Sequence, residues 1–244
     1  MTRPRAATRT RLDEVCSWIQ EQIDARLQPL LGYATALVDL VDASSQSPLT
    51  SSAVESLNPQ VESIIDGSAA IIGSGFIAAP GTVDAAPRYM LWLQQRGDAI
   101  KRLRLNFDTS DLEAYDYVDM DWYLRTDHRR CPTLVGPYLD YSGSDALVIT
   151  LVVPVVADDT FLGVVAVDLM AQAAEELITT ELCQLRGDAV VVNRDRTIVA
   201  TNSVRWMPGE RVLRMPDQDP GGYREVLPVG DWSEWQIAVA EPEG

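Results

Sequence analysis

Two apolar runs, residues 146–156 and 161–168, lie back to back across Ala157-Asp158-Asp159-Thr160, and this pair most constrains what the chain can fold into. Valine-rich runs of this length bounded by turn residues read as the two arms of a β-hairpin. The first run is too short to span a bilayer, which takes about 18 apolar residues or more, and it contains Pro154. Just upstream stands a dense set of aromatics: Tyr115, Tyr117, Trp122, Tyr123, Tyr138 and Tyr141. Between Asn106 and Leu169 there are twelve acids against three arginines, Arg125, Arg129 and Arg130. Aromatic faces attract positive charge through their quadrupole, and carboxylates supply counter-charge and acceptors. The stretch from 115 to 168 therefore reads as the wall of a cavity for a small amine.

Around this centre the pattern is α+β. From Arg11 a helical stripe runs through Leu12, Val15, Ile19, Ile23, Leu27 and Leu30, and continues to Val41. Pro29 predicts a kink or two abutting helices. The stripe suits packing on the chain's own sheet or pairing with the same helix of a second copy, and the sequence leaves both open. Residues 1–10, rich in Arg, Thr and Ala, read as a disordered tail. The Ser/Thr/Pro cluster at 44–52 ends the helical segment, and residues 57–65 read as a short second helix. Strands are expected at 69–78, 88–93 and 103–107, with turns around a short strand at Gly136-Pro137-Tyr138 and Tyr141-Ser142-Gly143. Gly73-Ser74-Gly75 lacks a following Gly-Lys-Ser/Thr, so these glycines point to a tight strand crossing and away from a phosphate cradle. A helix over 170–185 leads to a second module with strands at 189–193, 197–201, 223–229 and 235–240. The expected division is a tail at 1–10, an N-terminal helix at 11–48, a first, ligand-binding lobe at 49–169, and a linking helix with a smaller lobe at 170–244.

The net charge of −16 over 244 residues repels nucleic acid and anionic membrane surfaces, so neither is expected as a partner. The three cysteines, Cys16, Cys131 and Cys183, are far apart and odd in number. They read as free thiols in a reducing compartment. With His128 as the single histidine, a zinc site lacks its usual donors, and no cofactor is expected. No apolar h-region follows the basic start, and the localisation expected is cytoplasmic, with an extracytoplasmic fragment of a membrane receptor as the alternative. Catalysis finds no support: His128 has no serine–aspartate partnership, and acid pairs such as Asp119/Asp121 sit as neighbours in a loop.

Four features resemble a double Cache (PAS-like) domain, the ligand-binding module of many bacterial chemoreceptors and sensor kinases. They are Tyr115-Asp-Tyr-Val-Asp-Met-Asp-Trp122-Tyr123; Gly136-Pro-Tyr-Leu-Asp-Tyr-Ser-Gly143; Phe161-Leu-Gly-Val-Val-Ala-Val-Asp168; and Val191-Val-Asn-Arg-Asp-Arg-Thr-Ile-Val-Ala-Thr-Asn202. The resemblance implies a long N-terminal helix followed by two PAS-like antiparallel-sheet lobes. The family's amino-acid-sensing branch carries Y-x4-R-x-W-Y, then Y-x-D, then a closing Asp. Tyr115, Trp122, Tyr123, Tyr138, Asp140 and Asp168 hold those places, with Met120 where the family's carboxylate-gripping arginine stands. A thioether offers a carboxylate no hydrogen bonds, whereas a guanidinium offers two in parallel. The resemblance thus implies ligand contacts from these seven residues and a primary or methylated amine, or a polyamine, as ligand. With neither membrane helix nor signalling domain in the chain, the expectation is a free-standing sensor that relays occupancy to a separate partner, a transcription regulator or other signalling protein; a homodimer through the N-terminal helix is one of the two packings the stripe leaves open. The alternatives are an amino-acid or other small-metabolite sensor, or a dimerising interaction module without ligand. Trp92, Tyr117, Asp119 and Asp121 remain unassigned between core, cavity wall and solvated loop.

Overall fold

The computed structural model describes residues 5–43, 49–108, 110–111, 114–141 and 143–242, with side chains from residue 11 onward. Helix α1 is Arg5–Ala43 and runs through Pro29 without interruption of its helical assignment. Of the two expectations at Pro29, that of two abutting helices is therefore corrected: one missing N–H removes one i→i−4 bond, and a long helix with buried residues on both sides of the proline tolerates it. The helix also begins before the expected Arg11, at Arg5, in a segment of Arg and Ala, both good helix formers. Residues 1–4 of the expected tail, and 44–48 of the Ser/Thr/Pro cluster, lie outside the described residues.

The chain divides into two compact units, residues 26–170 and residues 1–25 with 171–244. The larger unit has a six-stranded antiparallel sheet in the order β3-β2-β1-β6-β5-β4. Its strands are β1 Ile71–Ala78, β2 Met90–Arg96, β3 Ala99–Arg102, β4 Thr133–Asp140, β5 Ala146–Ala157 and β6 Thr160–Met170. Strands β5 and β6 form the hairpin expected from the sequence. Asp158 and Asp159, at φ +46° and +62°, make the two-residue turn whose twist matches the flanking strands. Helix α2 is Ser51–Glu55 and buries Val54; helix α3, Asn58–Asp66, packs against β1 and β2 and buries Val61, Ile64 and Ile65. Helix α4, Asp121–Arg129, follows a single 3-10 turn at Tyr117–Asp119.

The expected strand at 103–107 is corrected: β3 ends at Arg102, and residues 103–108 have no strand assignment, the Leu103 N–H making one further bond to the Trp92 carbonyl at 2.9 Å. Alternation of Leu103, Leu105 and Phe107 with polar residues marks which side faces inward, and says nothing of whether a neighbour strand is there to pair. All three pack against the buried cluster on one face of the sheet. The expected turn at Gly136-Pro137 is also corrected, because β4 continues through it with a register shift between Val135 and Tyr138.

The smaller unit contains α5 Ala171–Leu182 and a four-stranded antiparallel sheet in the order β8-β7-β10-β9. Its strands are β7 Ala189–Val192, β8 Ile198–Thr201, β9 Tyr223–Val229 and β10 Trp235–Ala240. Within this unit the first turns of α1 bury Leu12, Val15, Cys16 and Ile19. The architecture is α+β, a long first helix followed by two antiparallel sheets.

Candidate functional site

The site grows from strand parity. On β6, Val164, Ala166 and Asp168 point to one face of the larger sheet, since alternate residues share a face. Across the ladder Asp168 stands opposite Thr150 on β5 and Gly73 on β1, and Ala166 stands opposite Val152 and Gly75. The two glycines are required by crowding. A Cβ at Gly75 would lie 2.0 Å from the Leu91 carbonyl oxygen, and one at Gly73 would lie 2.6 Å from Nε1 of Trp92. The indole of Trp92 thus occupies the space that a side chain at 73 would fill. Over this face lie residues 103–108 and helix α4. Together they leave a hollow lined by Trp92, Tyr115, Trp122, Tyr138, Asp140 and Asp168, with apolar walls from Ile77, Met90, Leu103, Leu105 and Ala166. Its free volume is about 40 Å³. A single water needs roughly 10–15 Å³ on this measure, so the hollow holds about three water-sized groups.

The polar end is a hydrogen-bonded chain. Thr150 Oγ1 donates to Asp168 Oδ1 at 2.6 Å, and the Tyr138 hydroxyl lies 2.7 Å from Thr150 Oγ1. A hydroxyl has one proton, so with Thr150 donating to the carboxylate, Tyr138 is the donor to Thr150. Asp168 is 7% exposed. Burial pushes its carboxyl up to about 7; the Thr150 hydrogen bond works against this, and the charge of Asp140 adds to it. Burial likewise raises Tyr138 and Tyr115, and both also feel the charges of Asp140 and Asp168. The Asp140 carboxylate accepts from the backbone N–H of Gly143 at 3.1 Å and of Ser144 at 2.8 Å, and from the Ser144 hydroxyl at 3.0 Å. Among the described residues neither Asp140 nor Asp168 has a lysine or arginine partner. Arg125, a partner that would satisfy either acid, pairs with Asp121 at 3.1 Å.

The structure brings Tyr115, Trp122, Tyr138, Asp140 and Asp168 to one hollow, and places Met120 and Tyr123 elsewhere. Trp122 and Tyr123 are consecutive on α4, so their side chains diverge by about 100°. Trp122 faces the hollow. Tyr123 turns into the core against Tyr117 and Phe161, at ring distances of 5.4 and 5.6 Å. Met120 is the residue that caps α4, partly buried against the same core. Tyr117 is fully buried, and its hydroxyl donates to the Ala78 carbonyl at 2.7 Å and accepts from the Tyr89 N–H at 3.0 Å. It is core, at the start of the 3-10 turn that leads into α4. Asp119 and Asp121 lie on the solvent side, and Tyr141 is 78% exposed. Sequence reading missed Thr150 and the Leu103/Leu105 wall, and left Trp92, which lines the hollow, undecided between core and cavity wall. The mark of Thr150 was its place in an otherwise apolar strand directly across the hairpin from Asp168.

Residues 57–175 match the family model for the first PDC sensor domain of methyl-accepting chemotaxis protein-like proteins. No curated relative matches the chain. Among solved structures, the extracellular domain of the putative histidine kinase mmHK1S-Z3 is 13% identical, with a TM-score of 0.68 over 98% of this chain and 96% of that one. The ligand-binding domain of the Campylobacter jejuni chemoreceptor Tlp3, solved with L-valine, is 14% identical with a TM-score of 0.61, over 97% and 93%. The extracellular domain of the putative histidine kinase soHK1S-Z6 is 18% identical with a TM-score of 0.54, over 98% and 96%. At these identities the likeness establishes the fold. It also overturns the cytoplasmic placement, because both kinases carry this fold as an extracellular domain. The thiols misled for a physical reason: Cys16 is buried and its Sγ lies 3.1 Å from the Pro228 carbonyl oxygen, so it serves as a small core residue whatever the redox compartment.

Proposed function

Residues 57–175 match the first PDC sensor domain of methyl-accepting chemotaxis protein-like proteins, and from that match we propose that the chain is a sensor that takes a small cationic amine in the hollow of its larger unit. One observation carries this reading. The charged groups lining the hollow are two carboxylates, Asp140 and Asp168, and among the described residues no basic side chain lines it. A buried carboxylate facing a cavity without a cation is costly, and an ammonium that enters relieves that cost while donating to the acids. Trp92, Trp122 and Tyr115 supply ring faces and edges for its alkyl part. The free volume suits a primary or methylated amine of about three or four non-hydrogen atoms. A polyamine requires the covering segment to open. Asp168 and Tyr138, fixed through Thr150, are the residues we assign to the ammonium; Asp140 adds its field. Occupancy is then relayed to a signalling partner, from an extracytoplasmic position of the kind the related kinase domains have.

The second reading is an amino-acid sensor, which the Tlp3 complexes with L-valine and L-norvaline favour. It needs a donor set for the ligand carboxylate, and Met120 stands in the place that the motif gives to arginine. Thermal-shift titration with matched methylamine, ethylamine, alanine and acetate decides between the two. Amines alone should raise the melting temperature, by an amount equivalent to about 2.7 kcal/mol at a hundredfold excess over Kd, and Asp168→Asn should abolish the rise. A rise with alanine and none with ethylamine establishes the amino-acid reading.

A further inference from the structure

The smaller unit repeats the plan of the larger one with the opposite charge. In the larger unit the chain leaves the edge strand β3 and crosses to the other edge strand, β4, carrying Tyr115 and Trp122 over the buried face. In the smaller unit residues 202–222 leave the edge strand β8 and re-enter at the other edge strand, β9. This crossing lays Trp206, Val212 and Met215 on the cluster formed by Val190, Val192, Ile198, Tyr223 and Ala238. Along this crossing lies an open groove of about 320 Å³, lined by Ile198 and Tyr223 of the sheet and by residues of the crossing, within the size range of small-molecule sites.

We propose that this groove is a second ligand site, for a planar anion of the aromatic carboxylate class. Trp206 and Tyr223 line it as a stacked pair, with centroids 6.1 Å apart and planes 17° from parallel, and so present a flat apolar surface. Arg205, Arg211 and Arg214 converge on it, in a chain whose net charge is −16. Arg205 lies over the Trp206 ring at 5.2 Å and pairs with Asp188 at 3.5 Å. Arg211 and Arg214 have no carboxylate partner among the described residues. The two acids of the lining are turned to their own turns. Glu210 Oε2 accepts from the Met207 N–H at 3.3 Å, and the Asp219 carboxylate lies where a Cβ on Gly222 would come within 2.5 Å of it. Arginines lining the same groove as an aromatic stack match a carboxylate on a planar ring, since a guanidinium fork takes the oxygens and the stack takes the ring.

Benzoate is the probe, read on the full chain through the indole N–H resonance of Trp206, identified by its loss in Trp206→Phe. Benzoate should shift that resonance saturably and its uncharged counterpart benzamide should not. The double variant Arg211→Ala/Arg214→Ala should weaken benzoate by about tenfold or more, the loss of roughly one charge-assisted contact. Both arginines are exposed, so its melting temperature should match that of the parent. Equal shifts with benzamide, undiminished binding by the double variant, or no shift with benzoate into the millimolar range each overturn the proposal. Asp168→Asn should leave the benzoate response intact, so this site and the amine site stand or fall separately.

Discussion

If the ammonium binds ionised Asp168, amine affinity must follow the titration of that one carboxyl. Its carboxyl lies at about 7 in the ligand-free protein, raised by burial from the ordinary 3.8. A simple alkylamine stays protonated across the range of interest, as lysine does. Apparent affinity should therefore be flat above pH 8, fall about twofold at pH 7, and fall about tenfold per unit below that, to roughly 100-fold weaker at pH 5. Calorimetric titration of ethylamine in two buffers of different ionisation enthalpy checks this twice. The affinity should follow that curve, and below pH 7 the heat should differ between buffers because binding expels close to one proton. Stability of the empty protein must move the opposite way. A carboxyl raised in the native state keeps its proton there while the unfolded chain has lost it, so this contribution is full below pH 3.8 and is lost as pH rises through 7. The span of about three units corresponds to ~4 kcal/mol. Asp168→Asn should accordingly raise the melting temperature at pH 8 while changing it little at pH 4. A flat affinity profile, or tighter binding at pH 5 than at pH 8, refutes the assignment of Asp168 as counter-ion.

Thr150→Val keeps the shape of the strand but removes the link between Tyr138 and Asp168. It should cost about 1–3 kcal/mol in urea unfolding, through the unpaired Tyr138 hydroxyl, and should move the pH midpoint of amine binding upward. Thr150→Ser should restore both. Tyr117→Phe strands the Tyr89 N–H and the Ala78 carbonyl and should cost about 1–3 kcal/mol with amine affinity unchanged, which separates core tyrosine from cavity tyrosine. Gly75→Ala drives a Cβ to 2.0 Å from the Leu91 carbonyl oxygen, so its soluble yield and unfolding midpoint should both fall, by an equivalent of about 1–3 kcal/mol or more.

What the sequence disclosed and what it withheld follow from the range of each signal. The β5–β6 hairpin, α5 and the four strands of the smaller sheet were legible because each is fixed by contacts near in sequence: a two-residue turn, a helical period, short apolar runs between turn residues. Residues 103–108 were misread because alternation reports a face, whereas a ladder needs a partner strand that only the tertiary fold supplies. The same limit acts at the site. Asp140 and Asp168 stand out in sequence because an acid beside an apolar run demands an explanation, whereas Tyr138 and Trp122 stand out through the family pattern they match. Ala166 and Gly73 do not stand out, and Thr150 only as one hydroxyl in an apolar strand: each acquires its role from a neighbour on the adjacent strand, Gly75, Trp92 or Asp168. Motif matching also treats Trp122 and Tyr123 as a pair, while the helix that carries them sends one to the hollow and the other to the core. The selectivity proposed for the hollow therefore rests on two layers. The acids that set its charge preference are readable in the chain. The hydroxyl that decides how deeply one of them is held, and hence at what pH the pocket accepts a cation, emerges only when β5 is laid against β6.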